Sequence, residues 1–193
     1  AGEAVLYVND DDVDGLANAL CEVQKPNIRN SLIAAGLEQA KKFSWSKMAK
    51  KVSSALIDAT LVRFNLKDIN LIVFPDWSQP EDSLGLELEG AVRAIATHPN
   101  KSKMTLLVDC SNISDEDANL ALSSVAMNLL MEEDLDVSDG PEISLIGSLS
   151  EIQWIALNPR LYGRIVLENE NIKAIAQAKA ENIALFELDS LKI

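Results

Sequence analysis

Short apolar runs rich in β-branched residues alternate with longer amphipathic runs over residues 69–188. Five of the apolar runs have the length and composition of strands. They are residues 69–74, 104–110, 142–147, 163–167 and 183–188. Most are apolar on both faces, which is typical of parallel strands whose sheet is covered by helices on both sides.

Four segments between these strands carry apolar residues at helical spacing. They are residues 80–97, 114–135, 150–158 and 170–181. The alternation predicts an α/β fold with an open, mostly parallel, doubly wound sheet. Such sheets bind ligands outside the carboxyl ends of their strands, so candidate functional residues are expected there.

The N-terminal part has a different pattern. Residues 1–8 predict a strand that either joins the later sheet or belongs to a longer parent, because a lone strand cannot bury both faces. Helices are predicted over residues 13–23, 27–42 and 46–62. An aspartate of the acidic turn 9–12 is expected to cap the first helix, and Ser44 the third. The predicted domains are therefore residues 1–66 and 67–193.

Composition narrows the class of protein. Of the 193 residues, 48% are hydrophobic, which indicates a globular chain rather than a disordered one. A formal charge of −13 argues against nonspecific binding to nucleic acid or to an anionic membrane. No apolar run approaches the roughly 20 residues that span a bilayer, and no signal peptide opens the sequence. These features predict a cytoplasmic protein.

Four residues at or after the carboxyl ends of predicted strands are candidates for substrate binding: Trp77, Asp109, Ser111 and Gly147. Trp77 could stack on a sugar or a base, or it could cover the edge of the core. Asp109 and Ser111 could be reactive groups, but no base is near them in sequence. The alternative is a loop that enters a helix capped by Ser114.

Other chemistry-bearing residues favour structural roles. His98, the only histidine, follows a predicted helix and suits the negative end of its dipole better than general-base catalysis. Cys21 and Cys110 are far apart in the sequence and are interpreted as free thiols. The acidic run 132–139 lacks the ligand spacing of a calcium loop. No metal site, cofactor or catalytic residue is predicted.

The N-terminal segment GEAVLYVNDDDVDGLANAL and the later RNSLIAAGLEQAKKFSWSKMAKKV carry a resemblance to a known family. An acidic turn, a glycine-containing helix and the run Phe43-Ser44-Trp45 follow one another as in the carboxyl-terminal tail of family 4 glycosyltransferases of the GT-B fold. The resemblance implies a parent protein that transfers a sugar from a nucleotide-sugar donor. The functional residues of that family would precede this tail, so none is carried onto residues 1–66.

The later segment resembles the Rossmann-like donor domain of the same family more faintly. The runs ISLIGSLSEIQWIAL, which contains Gly147, and RIVLENENIKAIAQAKAENIALF match it in order. Where that domain has basic residues for the diphosphate, this sequence has PDWSQPED. The positions of its two glutamates are occupied by Asn169 and Gln177, which cannot supply carboxylate chemistry. The resemblance therefore implies a degenerate domain without catalytic activity.

Three hypotheses follow. The chain is the end of a nucleotide-sugar transferase whose last domain binds donor weakly or not at all. Alternatively, residues 67–193 form an interaction or assembly module with a protein partner or a second copy of the chain, as the acidic loop and the apolar helix 120–131 indicate. A third hypothesis is small-molecule binding through Trp77 and Asp109.

Overall fold

The computed structural model describes residues 2–138 and 140–188 and divides the chain into two compact units. The first unit ends at Ala55, and the second begins at Leu56. The sequence predicts the domain boundary after residue 66, which is C-terminal to this division.

The first unit is helical. It contains a 3-10 turn, Gly2–Ala4, followed by α1 (Val13–Glu22), α2 (Pro26–Lys41) and α3 (Trp45–Leu61), the last of which continues into the second unit. The predicted caps are confirmed: the Asp12 carboxylate accepts the backbone N–H of Gly15 at 2.7 Å, and Ser44 Oγ accepts that of Lys47 at 3.1 Å. Pro26 begins α2 because its missing N–H has no partner in a first helical turn.

The predicted N-terminal strand is wrong for the residues that the structure describes; Ala1 lies outside them. Gly2 has a left-handed φ of +62° and begins the 3-10 turn Gly2–Ala4, and residues 5–8 form no strand. A strand requires a neighbouring strand to satisfy its backbone groups. Residues 5–8 pair with none of the strands of the described sheet. The apolar run Val5–Val8 therefore stays partly exposed.

The second unit contains an all-parallel sheet of five strands. They are β1 (Ile69–Val73), β2 (Met104–Asp109), β3 (Glu142–Ile146), β4 (Leu161–Ile165) and β5 (Leu185–Phe186), in the order β3-β2-β1-β4-β5. The connecting helices are α4 (Glu81–Ala96), α5 (Asp115–Glu133), α6 (Glu151–Leu157) and α7 (Ile172–Ala178), and 3-10 turns occupy Val62–Phe64, Lys101–Lys103 and Asn158–Arg160. The α/β, Rossmann-like fold class is confirmed.

The sheet separates two apolar cores. Alternate residues of β1 point to opposite faces, so Leu71 packs with α4 and α5 in one core while Ile72 packs with α6 and α7 in the other. Both side chains are fully buried. Burying a leucine or isoleucine stabilises the fold by about 1.5–3 kcal/mol, which explains why strands with apolar residues on both faces form a doubly wound sheet.

The last strand is shorter than the sequence predicts. It pairs with β4 only at Arg164–Leu185 and Ile165–Phe186, instead of over residues 183–188. Phe186 lies against Gly163, where a Cβ atom would fall 2.2 Å from the ring. Glycine is required at this position for the phenylalanine ring to cover the strand.

The length and composition of the helices also bear on whether the chain could span a membrane. Within residues 2–138 and 140–188, none of the helices combines the length and apolar character required to cross a membrane.

Candidate functional site

The strand order places the switch point of the sheet between β1 and β4. From β1 the chain proceeds to β2 on one side, and from β4 it proceeds to β5 on the other. In doubly wound sheets, the loops on either side of such a point leave a crevice at the carboxyl ends of the strands, and ligands bind in it. The residues after β1 and β4 therefore decide what this domain can bind.

In this protein the crevice is closed by backbone hydrogen bonds between the two loops. Pro75, after β1, forms an antiparallel bridge with Glu170, after β4. The N–H of Asp76 donates to the carbonyl of Asn169 at 3.1 Å, and the N–H of Asn171 donates to that of Phe74 at 2.9 Å. The backbone groups that could meet a ligand at this point are thus bonded to each other.

A buried carboxylate on α4 fixes the second loop from the other side. Glu87 is only 8% exposed, and its Oε1 and Oε2 accept the side-chain and backbone N–H groups of Asn169 at 2.6 and 3.1 Å. Two hydrogen bonds to one carboxylate set both the position and the orientation of this residue. Asn169, the position matched to a family glutamate, is therefore occupied in holding the closed loop.

The arginine on β4, one of the two strands at the switch point, is already neutralised. Arg164 on β4 is 8% exposed, and its Nη1 donates to both oxygens of Glu170 at 2.8 and 2.7 Å. Its Nε has no partner among the described residues. A buried guanidinium held in this way cannot turn toward a phosphate without leaving Glu170 unpaired.

A polar cleft of about 580 Å³ lies beside the closed crevice. Its lining comes from the loops after the first four strands and from α7, and consists of Asp76, Ser78, Ser111, Asn112, Ser148, Glu170, Asn171, Ile172, Lys173, Ala174 and Gln177. Gln177, the second position matched to a family glutamate, thus shares this cleft with Glu170. Most of these side chains are uncharged hydrogen-bonding groups.

The charges of the cleft disfavour an anion. Hydrogen bonds from Gln79 and from the side chain and backbone of Ser78 hold the pKa of Asp76 below its usual value, so this carboxylate stays ionised at neutral pH. Lys173 contributes one positive charge, against Asp76 and the Glu170 carboxylate that pairs with Arg164. The local field gives a diphosphate little attraction.

Three of the four candidate substrate-binding residues are linked by hydrogen bonds. The indole Nε1 of Trp77 donates to the backbone carbonyl of Asp109 at 2.8 Å, and the Asp109 carboxylate accepts the Ser111 hydroxyl at 2.8 Å. Burial raises the pKa of Asp109, although the bonds from Ser111 act in the opposite direction. Of these three residues, only Ser111 lines the polar cleft.

Trp77 lines a different opening. Its side chain packs against the core beneath α4 and α5 and lines a groove of about 690 Å³ between these helices. The groove and the polar cleft share no lining residue. Trp77 is therefore not placed to stack on a ligand in the polar cleft.

The remaining candidates lie apart from both openings. Gly147 directly follows β3, and a Cβ atom there would be 3.9 Å from Asp115 at the start of α5. His98 follows α4, and its Nδ1 accepts the N–H of Asn100 at 3.0 Å. Cys110 is buried, and the loss of solvation together with the nearby Asp115 raises its pKa to about 12.

The acidic run 132–139 begins in the last turn of α5, and its Asp139 lies outside the described residues. Over residues 2–138 and 140–188, there is no group of three or more His, Cys, Asp or Glu side chains that could hold a metal ion.

Two functional positions were missed by the sequence interpretation, Glu87 and Arg164. Arg164 carried a usable signal, because an arginine in a strand that is apolar on both faces requires a nearby carboxylate. The partner of Glu87 is Asn169, and nothing local in the sequence indicates a contact over that separation.

Comparison of the chain with protein-family models, with curated proteins and with solved structures finds no match.

Proposed function

We propose that the α/β unit is a non-catalytic interaction module that follows the tail of a glycosyltransferase domain. The observation that carries this proposal is the closed crevice: the loops after β1 and β4 bond to each other where a donor nucleotide would bind. The module has the layered core of a donor domain. At its switch point, the contacts between the two loops stabilise the fold in place of binding a ligand.

The glycosyltransferase part of the proposal rests on the resemblance of the tail. In the structure Phe43 and Ser44 lie between α2 and α3, Trp45 begins α3, and Ser44 caps that helix. Its test is sugar transfer by the full-length parent with UDP-, GDP- and ADP-sugars. A parent that transfers none of these sugars would rule this part out.

The absence of donor binding is tested by isothermal titration of this chain with UDP, GDP, ADP and their glucose or mannose conjugates. We expect no saturable heat at millimolar ligand, because the crevice is closed and the single lysine of the cleft beside it is offset by Asp76. Saturable binding of any of these nucleotides would overturn the non-catalytic assignment of the domain.

A second candidate function is donor binding in the polar cleft, and its volume and uncharged hydrogen-bonding side chains favour it. In that case Lys173 is the cation available for the diphosphate. Lys173→Ala would weaken nucleotide binding. The control is Lys179→Ala: Lys179 follows the same helix, forms an exposed pair with Glu151, and its loss would leave nucleotide binding unchanged. Equal binding by both variants would exclude the cleft as the nucleotide site.

A further inference from the structure

A groove of about 690 Å³ lies between α4 and α5 in the α/β unit and has apolar side chains in its wall. It is lined by the N-terminal half of α4, by residues 117–128 of α5 and by the loops that enter the two helices. Leu84, Leu88 and Val125 in its wall belong to the core. Two further leucines in the wall are open to solvent: Leu86 is 69% exposed and Leu120 is 68% exposed. An apolar groove with exposed leucines at its surface is typical of a protein-binding site.

The groove is held open by fixed groups. Trp77 is immobilised on its side by the 2.8 Å hydrogen bond from Nε1 to the Asp109 carbonyl. Farther along the helices, Arg93 on α4 donates from Nε to both carboxylate oxygens of Glu133 on α5 at 2.8 Å. The core beneath α4 and α5 sets their spacing in the absence of any occupant, which lowers the ordering cost of binding.

The charge of the groove is one-sided. Glu81, Asp82, Glu89 and Asp117 line it, and no Lys or Arg does so among the residues that the structure describes. Glu89 shares the single cation Arg93 with Glu133, and the other three carboxylates have no cationic partner among the described residues. The two helix N-termini contribute only about half a positive charge each, so the groove is negative.

The shape of the groove favours a helical occupant. Helices and loops form its wall, so it presents no strand edge to which an extended peptide could add. On α5 the lining extends from Asp117 to Asn128, about 17 Å at 1.5 Å per residue, which matches about three turns of a third helix. A helix with one apolar face would cover Leu86 and Leu120 together.

From this combination we infer that the α4/α5 groove binds a basic amphipathic helix of a partner protein. Its apolar face packs on Trp77, Leu86 and Leu120, and Lys or Arg residues beside that face meet Glu81, Asp82 and Asp117. The inference rests on the proposed function as an interaction module and gives that module a partner class. Nucleotide titration addresses the cleft and peptide titration addresses the groove, so either proposal can fail without the other.

The test uses the full chain and a synthetic helical peptide of about 16 residues, with Leu at positions i, i+3, i+4 and i+7 and Lys elsewhere. A control peptide of the same composition has its leucines scrambled around the helix. Binding is measured by fluorescence anisotropy at low and high salt. We expect saturable binding of the amphipathic peptide that weakens as salt rises, with the scrambled peptide at least tenfold weaker.

Two protein variants locate the site. Leu120→Asp lies in the groove, and Met131→Asp, on the same helix and 77% exposed, lies outside its lining. Both replace an exposed apolar side chain and add one negative charge, so they differ chiefly in position. We expect at least tenfold weaker binding for Leu120→Asp and less than a twofold change for Met131→Asp, with circular dichroism confirming that both fold.

Several results would overturn the inference. They are no binding of the amphipathic peptide, equal binding of the scrambled peptide, or equal effects of the two variants. Light scattering can give a further contrary result. If the free chain is a dimer, and the dimer is lost in Leu120→Asp but kept in Met131→Asp, the groove binds a second copy of the chain.

Discussion

The closed crevice and the open groove lie on either side of the loop that follows β1, and they are built in opposite ways. At the crevice, polar groups from three elements bond to one another. Glu87 and Arg164 are buried, and Glu170 is partly buried. At the groove, apolar side chains are left exposed between two helices whose spacing is fixed elsewhere. The comparison indicates that the crevice contributes stability and that the groove is the surface available for binding.

The largest effect is expected from Glu170→Ala. It leaves the buried Arg164 guanidinium without its carboxylate, and breaking a buried ion pair from one side costs about 3–5 kcal/mol. Urea unfolding should show this loss in the free energy of unfolding. Glu168→Ala, an exposed neighbour, should change it by less than about 0.5 kcal/mol. Equal values for the two variants would mean that the crevice does not contribute stability.

A smaller loss is expected from Glu87→Ala. Removing this carboxylate leaves the backbone and side-chain N–H groups of Asn169 without acceptors, at a cost of about 1–3 kcal/mol. Ser83→Ala, one turn earlier on the exposed part of α4, is the control. The difference is measured by urea unfolding, and amide exchange at Asn169 should accelerate in Glu87→Ala alone.

On the groove side, Trp77→Phe keeps an aromatic ring and removes the hydrogen bond to the Asp109 carbonyl. The expected loss is about 0.5–1.5 kcal/mol. Trp45→Phe changes a tryptophan that is 86% exposed and should alter stability by less than about 0.5 kcal/mol. A loss as large as that of Glu170→Ala would contradict the assignment of stability to the crevice.

The smallest effect concerns pH. Burial raises the pKa of Asp109 above its usual 3.8, so the folded state retains a proton that the unfolded state has released. Stability should therefore decline as pH rises from about 3.8 through the folded pKa. Asp109→Asn lacks this ionisation, and its free energy of unfolding relative to the unmodified chain should rise between pH 4 and pH 7. A difference that is constant over this range would contradict the raised pKa.

Much of the second unit follows from its sequence, because local signals determine it. Apolar runs locate β1, β2 and β3 to within one residue, and Ser114 caps α5 as predicted. The N-terminal segment shows where local signals fail: residues 5–8 have the composition of a strand, but a strand forms only when a neighbour accepts its hydrogen bonds.

The candidate site is less predictable from sequence. Asp109 and Ser111 could be predicted because one ends a strand and the other follows it. Their position in the sequence is enough to place them at the carboxyl edge of the sheet. The crevice is closed by contacts such as Pro75–Glu170 and Glu87–Asn169, which depend on how β1, β4 and α4 pack together. The orientation of Trp77 toward α4 and α5 likewise follows from tertiary packing rather than from its neighbours in sequence.

The bonds that close the crevice also bear on how this domain could change during evolution. Reopening the switch point requires the loss of the Pro75–Glu170 bridge, the Glu87–Asn169 bonds and the Arg164–Glu170 pair. Any single substitution among the side chains leaves a buried polar group unpaired before a ligand can compensate for it. A lineage that acquires this arrangement therefore meets a fitness valley on any path to an open crevice, while substitution of the exposed leucines of the α4/α5 groove carries no comparable cost in stability.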